Sequence, residues 1–457
     1  MPEAPLSWFA IGRIGLVQTA LGAIVVLTTS TMNRVMVVEL ALPAMVPGAL
    51  VAIHYALQLL RPRWGYGSDV SRRRTPWIIG GMFVLAIGGI GAAVSIAVMG
   101  ENFAAGLALA ILAFVLIGIG VGATGTSLLA LLASRVGAGR RAPAATVVWL
   151  MMIAGFIVTT VAAGSFLDPY SPSRLVAVTT VVSVIAVIVA TLAILGVEGK
   201  SSASPAKLDD AQSATKPDFA QAFQEVWSEP QARQFTIFIF VSMLAYSMQD
   251  LILEPFAGLV FGLTPGQSTK LSGLQHSGVF AGMVLVAIAA HKRVGLGSLS
   301  TWVAGGCMMS ALQLLCVAAA GMLGQAALLK TSVFALGVAN GAYAVAAIGC
   351  MMGLAASGRN AREGTRMGIW GASQAVAFGV GGFGGTALAD LARQFLAPVT
   401  AYSSVFVFEA GLFVVAAIMA IRILGNGAVD RNGGMISRPA GDAGTGNLAT
   451  ETGRYSS

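Results

Sequence analysis

Twelve stretches of this chain each carry about 20 or more residues with little or no charge, the length at which an α-helix crosses the roughly 30 Å hydrocarbon layer of a bilayer. They lie near residues 13–35, 41–61, 77–99, 103–133, 145–166 and 174–196, then 234–258, 271–291, 299–321, 325–356, 366–391 and 401–424. Only 10% of the 457 residues are charged and 56% are hydrophobic, where a soluble domain carries about 25% charged residues. So few charges cannot cover a water-facing surface. A soluble enzyme, a nucleic-acid binder and a disordered chain are excluded, and the lipid bilayer is the principal neighbour. Barrel strands would alternate polar and apolar residues in short segments, and no segment here does so. The expected fold class is all-α integral membrane, with twelve transmembrane helices.

The basic residues orient these helices. Of 27 Lys and Arg, 22 fall in the termini or in the loops after the second, fourth, sixth, eighth and tenth stretches. The positive-inside rule then places both termini in the cytoplasm. No small-residue cleavage site follows the first stretch, which reads as a retained span and not as a signal peptide. One long polar insert, 198–232, divides six stretches from six, and its segment Asp218–Glu229 has the composition of a short surface helix. The expected organisation is a six-helix bundle at 10–197, a cytoplasmic loop at 198–232, a second six-helix bundle at 233–424, and a disordered cytoplasmic tail at 425–457 rich in Gly, Ser and Asp. The three cysteines (Cys307, Cys316, Cys350) lie in apolar segments and match neither a disulfide framework nor a metal site.

The halves also resemble each other. Thr31-Met32-Asn33-Arg34 before Glu39 parallels Ser247-Met248-Gln249-Asp250 before Glu254, and Gly120, Arg141 and Trp149 parallel Gly341, Arg362 and Trp370. Two parallel six-helix repeats joined by a long cytoplasmic loop are the sequence form of the major facilitator fold. The loop Gly65-Tyr66-Gly67-Ser68-Asp69-Val70-Ser71-Arg72-Arg73-Arg74 resembles that superfamily's G-x-x-x-D loop with its following basic pair. A Gly lets helix ends approach, an Asp suits a positive helix N-terminus, and Arg residues stay cytoplasmic. Gly65, Asp69, Arg73 and Arg74 are therefore candidate gating residues, with Asp69 expected near Arg73 or the start of the eleventh helix around 365–371. The corresponding loop of the second half, His291-Lys292-Arg293-Val294-Gly295, lacks the Asp.

Two features depart from a transporter. The fourth stretch contains no charge, where proton-coupled members carry an Arg, and the fifth has no Gly-Pro pair. Away from helices 1 and 7 the spans hold almost no mid-membrane charge, so the interior is expected to be unusually apolar for a solute pathway. Asn33-Arg34-Val35-Met36-Val37-Val38-Glu39-Leu40, Gln249-Asp250-Leu251-Ile252-Leu253-Glu254-Pro255-Phe256, Arg72-Arg73-Arg74-Thr75-Pro76-Trp77 and the glycine run Gly118 to Thr126 resemble the PucC/LhaA family of photosynthetic bacteria. The resemblance covers roughly residues 8–425. It implies a non-enzymatic assembly factor for light-harvesting antenna complexes in the bacterial inner, intracytoplasmic photosynthetic membrane. Bacteriochlorophyll would be its cargo or bound pigment, and antenna polypeptides or the reaction-centre/antenna complex its partners. The alternative is a secondary transporter of a hydrophobic or amphipathic solute by alternating access; a membrane-bound tetrapyrrole-modifying enzyme is a more remote third.

Candidate residues carry two readings each. Gly118, Gly120 and Gly122 either let helix backbones touch or offer a flat surface for a chlorin ring. His54 and His276, the imidazoles within the spans, either ligate a chlorophyll-type magnesium or hydrogen-bond a neighbour such as Gln58 or Gln275. The tryptophans fall mostly near helix ends, as an aromatic belt does. Arg34, Glu39, Asp250 and Glu254 stand toward the periplasmic ends of helices 1 and 7. Asp250 and Glu254, at i and i+4, share a helical face, and Arg34 is the base available to two carboxylates. A charge cluster centred on Arg34 and joining the two halves is expected, against four side chains reaching water separately.

Overall fold

The computed structural model describes residues 6–61, 63–64, 73–137, 140–198, 224, 227–289, 296–357, 363–425, 428–429 and 435–436. Its helices are α1 (Trp8–Glu39), α2 (Met45–Leu60), α3 (Thr75–Glu101), α4 (Phe103–Arg135), α5 (Arg141–Phe166), α6 (Pro172–Ile194), α7 (Pro230–Phe261), α8 (Pro265–Ala289), α9 (Leu299–Leu323), α10 (Ala326–Ser357), α11 (Glu363–Arg393) and α12 (Pro398–Gly425). All but α2 contain a segment long and apolar enough to cross a membrane. The chain is thus a multi-pass helical membrane protein with eleven such helices among the described residues. The stretch expected at 41–61 is the exception: its first residues turn the chain, with Ala41 at φ 51°, and its last turn, Leu57–Leu60, tightens to a 3-10 helix. Of the tail, Ala428–Val429 pairs antiparallel with Met435–Ile436.

Local chemistry accounts for the helix ends. Ser7, Asn102, Ser171 and Ser298 accept from backbone amides three residues ahead, which satisfies donors that a helix start leaves free. Gly262 and Gly324 end α7 and α9 in the left-handed conformation that glycine adopts without strain. In α1 the backbone widens to π-helix at Leu27–Thr31 and again at Val35–Glu39. Bonding from i to i+5 rotates the following residues and is a common mark of functional positions.

Buried apolar side chains form two main clusters. One draws on residues between Leu6 and Val197 together with Leu251, the other on residues between Phe235 and Leu424. Helix pairs within each cluster meet through glycine. A β-carbon at Gly337 of α10 would lie 3.0 Å from Gly278 Cα of α8, and one at Gly278 would lie 3.0 Å from Gly337 Cα. Gly282 and Gly341 repeat the contact one turn along, against Ala342 and Val279. Contacts between the clusters run along α1 with α7, α2 with α11, and α5 with α8. On α11, Gly381, Gly382 and Gly385 lie on Leu244, Ser247, Met248 and Leu251 of α7, while Gly379 faces Tyr55 of α2.

The end of the bundle that carries Arg74 is tied by carboxylates at helix starts. Glu198 accepts from the Arg74 and Thr75 amides at 2.5 and 2.8 Å and from the Thr75 hydroxyl at 2.6 Å, capping α3. Its own carbonyl accepts from Arg135 at 2.5 Å. Glu229, at the start of α7, holds buried Arg366 of α11 at 2.7 and 3.0 Å. Partial burial acts to raise the Glu198 carboxyl, but the Thr75 hydroxyl, the two amides and the Arg74 charge outweigh it and hold the group below its ordinary value. A lowered folded value means that this stability is present above the ordinary carboxylate range and is lost as pH falls through the folded value.

Two outcomes are expected. Gly337→Leu must push α10 off the α8 backbone and should cost about 2 kcal/mol, whereas Gly411→Leu, with nothing within 4 Å, should leave thermal unfolding in detergent unchanged. Glu198→Gln should flatten the acid limb of the stability–pH curve relative to wild type.

Candidate functional site

The polar residues of the interior gather where α1 meets α7 and α8. Arg34 is 2% exposed. Its Nη1 pairs with Glu39 and its Nη2 donates to the Leu263 carbonyl at 2.6 Å, beyond the end of α7. The wide turn Val35–Glu39 accounts for the pairing, because it brings residues five apart onto one face. Gly258 on α7 leaves room for the guanidinium: a β-carbon there would lie 3.1 Å from Nε. One turn deeper, Ser30 donates to buried Glu254 and stands 3.1 Å from the Ser272 hydroxyl of α8. Thr31 and Thr269 hydroxyls meet at 3.0 Å, and Asn33 donates to the Leu251 carbonyl at 2.6 Å. Glu254 also lies within the field of Arg34.

Further ties close the same end. Asp168, after α5, accepts from the Thr264 hydroxyl at 2.7 Å and the Gly266 amide at 3.1 Å, at the start of α8. Asp390 on α11 accepts from the Met45 amide at 2.7 Å, at the start of α2. Tyr170, just outside the helices, is pushed up to about 12 by burial and then by the neighbouring Glu39 carboxylate.

The expected cluster is thus assembled in part and needs one correction. Arg34, Glu39 and Glu254 come together, but Asp250 does not join them. It lies a turn further from this end and faces Tyr55, Tyr246 and Glu409, while the guanidinium turns the other way, toward Leu263. The glycine reading is corrected too. Gly118 is covered by Leu57 and the His54 carbonyl of α2, Gly120 by Leu85 and Gly81 of α3, and Gly122 by Trp64. The surface expected for a chlorin ring is taken up by neighbouring helices. Gly65 and Asp69 lie outside the described residues, as does His291. Of the gating loop, Arg73 and Arg74 are described, and Arg74 bonds Ser134 and Glu198.

The two histidines stand apart, in different helix interfaces. His54 is 3% exposed, edge-on to Tyr55, and has no face open to a macrocycle. His276 is half-buried between α8 and α5, edge-on to Phe156 at 4.9 Å. Its Nδ1 lies 2.8 Å from the Ser272 carbonyl. Donation there sets the tautomer and leaves the Nε2 lone pair, the arrangement of a metal-ligating imidazole. His276 therefore fits an axial ligand where His54 does not.

Glu409, in the last helix, was missed by the reading that confined interior charge to helices 1 and 7. A single Glu in a run such as Val405-Phe406-Val407-Phe408-Glu409-Ala410 was itself the signal, since an ionisable residue inside a span is functional by default.

Comparison with known proteins adds the lineage. Residues 31–428 match the PUCC protein family. The chain belongs to that family. It is 53% identical over 419 residues to the Rhodobacter capsulatus protein named "Bacteriochlorophyll synthase 44.5 kDa chain", covering 92% of this chain and 96% of that protein. It is 28% identical to "Protein PucC" of the same organism, covering 93% and 94%. Among solved structures it resembles a D-xylose-proton symporter, with TM-score 0.68 and 15% identity over 91% of this chain and 97% of that one. A bacterial homologue of the lysosomal transporter Spinster, inward-facing and occupied, gives 0.64 and 14% over 90% and 96%. At such identities the likeness shows the fold alone, that of major facilitator transporters.

Loss of the Arg34 base should therefore act on Glu39 and Glu254. Arg34→Ala should cost about 3 kcal/mol, as breaking a buried pair does, read by thermal unfolding. Adding Glu254→Gln should recover part of the loss, and adding Asp250→Asn should not.

Proposed function

We propose that this PucC-family protein is a non-enzymatic membrane assembly factor for bacterial light-harvesting complexes, which holds or delivers bacteriochlorophyll, antenna polypeptides or both. The observation that carries the reading is the 53% identity, over nearly the whole of both chains, to a protein named as a chain of bacteriochlorophyll synthase. That name makes the relative one chain of a synthase, and the transporter-like fold supports a carrying role over a catalytic one. The reading places twelve spans as two six-helix repeats in the bacterial inner membrane, with the Arg74 end and both termini on the cytoplasmic side. The ties at Arg34, Asp168 and Asp390 would then close the periplasmic side. The separate clusters on either side of residues 198–232 support that division.

Bound bacteriochlorophyll would supply a magnesium that an imidazole nitrogen could hold. His276 is the residue suited to it, with Ser272 fixing its ring and Phe156 beside it. His54 would instead serve helix packing. A secondary transporter of an amphipathic solute is the competing reading, and the fold of the solved neighbours suits it equally.

Extraction in mild detergent separates the two. Pigment and small antenna polypeptides should co-purify with the wild-type chain, and His276→Leu should lower the pigment content without lowering the amount of protein in the membrane. His54→Leu should leave pigment unchanged. Solute-driven flux in liposomes by a preparation free of pigment and antenna polypeptides would turn the assignment to the transporter.

A further inference from the structure

The interior of the second cluster holds polar side chains that nothing in the pigment reading uses. Glu409 of α12 is 0% exposed and neither carboxylate oxygen has a hydrogen-bond partner. The Gln249 backbone amide of α7 is close enough to act on the Glu409 carboxyl. Gln249 is also 0% exposed, and neither its amide oxygen nor its amide nitrogen has a partner. Helix register aims these two side chains at each other. The helices α7 and α12 run antiparallel, with Phe256 packed on Tyr402 at 6.0 Å and Phe406 at 5.1 Å. Residues 249, 252 and 256 share one face of α7, as 402, 406, 409 and 413 share one face of α12. Gln249 therefore meets the turn of α12 that carries Glu409.

A third helix reaches the same level. Tyr343 of α10 touches the Met243 sulfur at 3.4 Å and faces Phe413 at 6.2 Å. One turn back along α10, fully buried Asn340 accepts from Ser310 at 2.7 Å and has no partner for its own amide nitrogen. The charge acting on Glu409 is that of Asp250, of like sign. The other ionisable groups around this core are Tyr246 of α7, Tyr343 of α10, Tyr55 of α2 and Cys307 of α9, all neutral in their ordinary state. Between 234 and 261, throughout α9, and in α12 before Arg422, the sequence has no Lys or Arg.

A carboxylate so placed, near a second one and without a base, stays ionised only where a cation offsets its charge, and otherwise holds a proton. We propose that Glu409 and Gln249 bind a monovalent metal cation in the core of the second cluster, with the Asp250 charge nearby. The donors are hard oxygens, a carboxylate and an amide carbonyl, which suit a hard ion over a soft one, and a single carboxylate charge is matched by a single positive one. The site is independent of any pigment role.

The test is thermal unfolding of the purified full chain in detergent, in sodium, potassium, lithium or N-methylglucamine chloride at equal ionic strength, at neutral and at acidic pH. An alkali ion should raise Tm saturably over N-methylglucamine, and Glu409→Gln should abolish that difference. If Glu409→Gln does not fold, Gln249→Leu and Asp250→Asn should each weaken the cation response. Equal Tm in all four salts would overturn the site. So would an undiminished response in the variants. A rise in Tm on acidification that is the same in N-methylglucamine as in the alkali salts, with no cation effect, would also overturn it, by making Glu409 a neutral acid.

Discussion

Helices in lipid gain nothing from leaving water, so their association depends on how closely the backbones can approach. The packing of this protein follows from that constraint. Gly278, Gly282, Gly337 and Gly341 bring α8 and α10 into backbone contact, Gly81, Gly88 and Gly120 do the same for α3 and α4, and Gly381 and Gly385 seat α11 on α7. Each approach adds dispersion contacts that a longer side chain would prevent. It also explains why 57 glycines accompany only 16 prolines: the glycines serve helix faces far more than turns.

The same tight packing makes polar residues conspicuous. Along α1, α7 and α8 they form three neighbouring contacts, Arg34 with Glu39, Ser30 with Glu254 and Ser272, and Thr31 with Thr269. Deeper in the second cluster Glu409, Gln249 and Asn340 retain free valences. The first set ties the two clusters at one end, and most of its members are bonded there, although Arg34 Nε, Glu254 Oε2 and Asn33 Oδ1 stay unpartnered. In the second, neither Glu409 nor Gln249 has a side-chain partner, and an incompletely satisfied buried network points to an occupant. His276 lies one turn from the first set, four residues from Ser272 and bonded to its carbonyl, on the side of α8 that faces Phe156 of α5. PucC-family membership and the transporter fold meet at this seam, since α1 with α7 and α5 with α8 are also where the two clusters touch.

Much of this was legible in the chain. Run length and charge scarcity specify membrane helices because a bilayer accepts no other backbone arrangement for such segments. Eleven of the twelve expected spans fall on helices long and apolar enough to cross a membrane, and the second falls on the shorter α2. The motif Asn33 to Leu40 pointed to Arg34 and Glu39 because charged residues at membrane depth need a reason. Partner choice was less accessible. Spacing of i and i+4 put Asp250 and Glu254 on one face, but which carboxylate the guanidinium reaches depends on the wide turn at Val35–Glu39 and on the Leu263 carbonyl, neither visible in local sequence. The glycines of α4 were rightly seen as flat, yet only packing shows that α2 and α3 already occupy that flatness.

The sequence by itself determined that this is a helical membrane protein, and through its motifs the family to which it belongs. Both rest on one-dimensional properties, hydropathy and residue order. The tertiary structure alone decided that Asp250 stands apart from Arg34, that His54 is enclosed while His276 keeps a free nitrogen, and that Glu409 lies beside Gln249. These are pairings between helices far apart in the chain. They are set by helix rotation and by backbone approach at glycine, and both depend on all the neighbours at once.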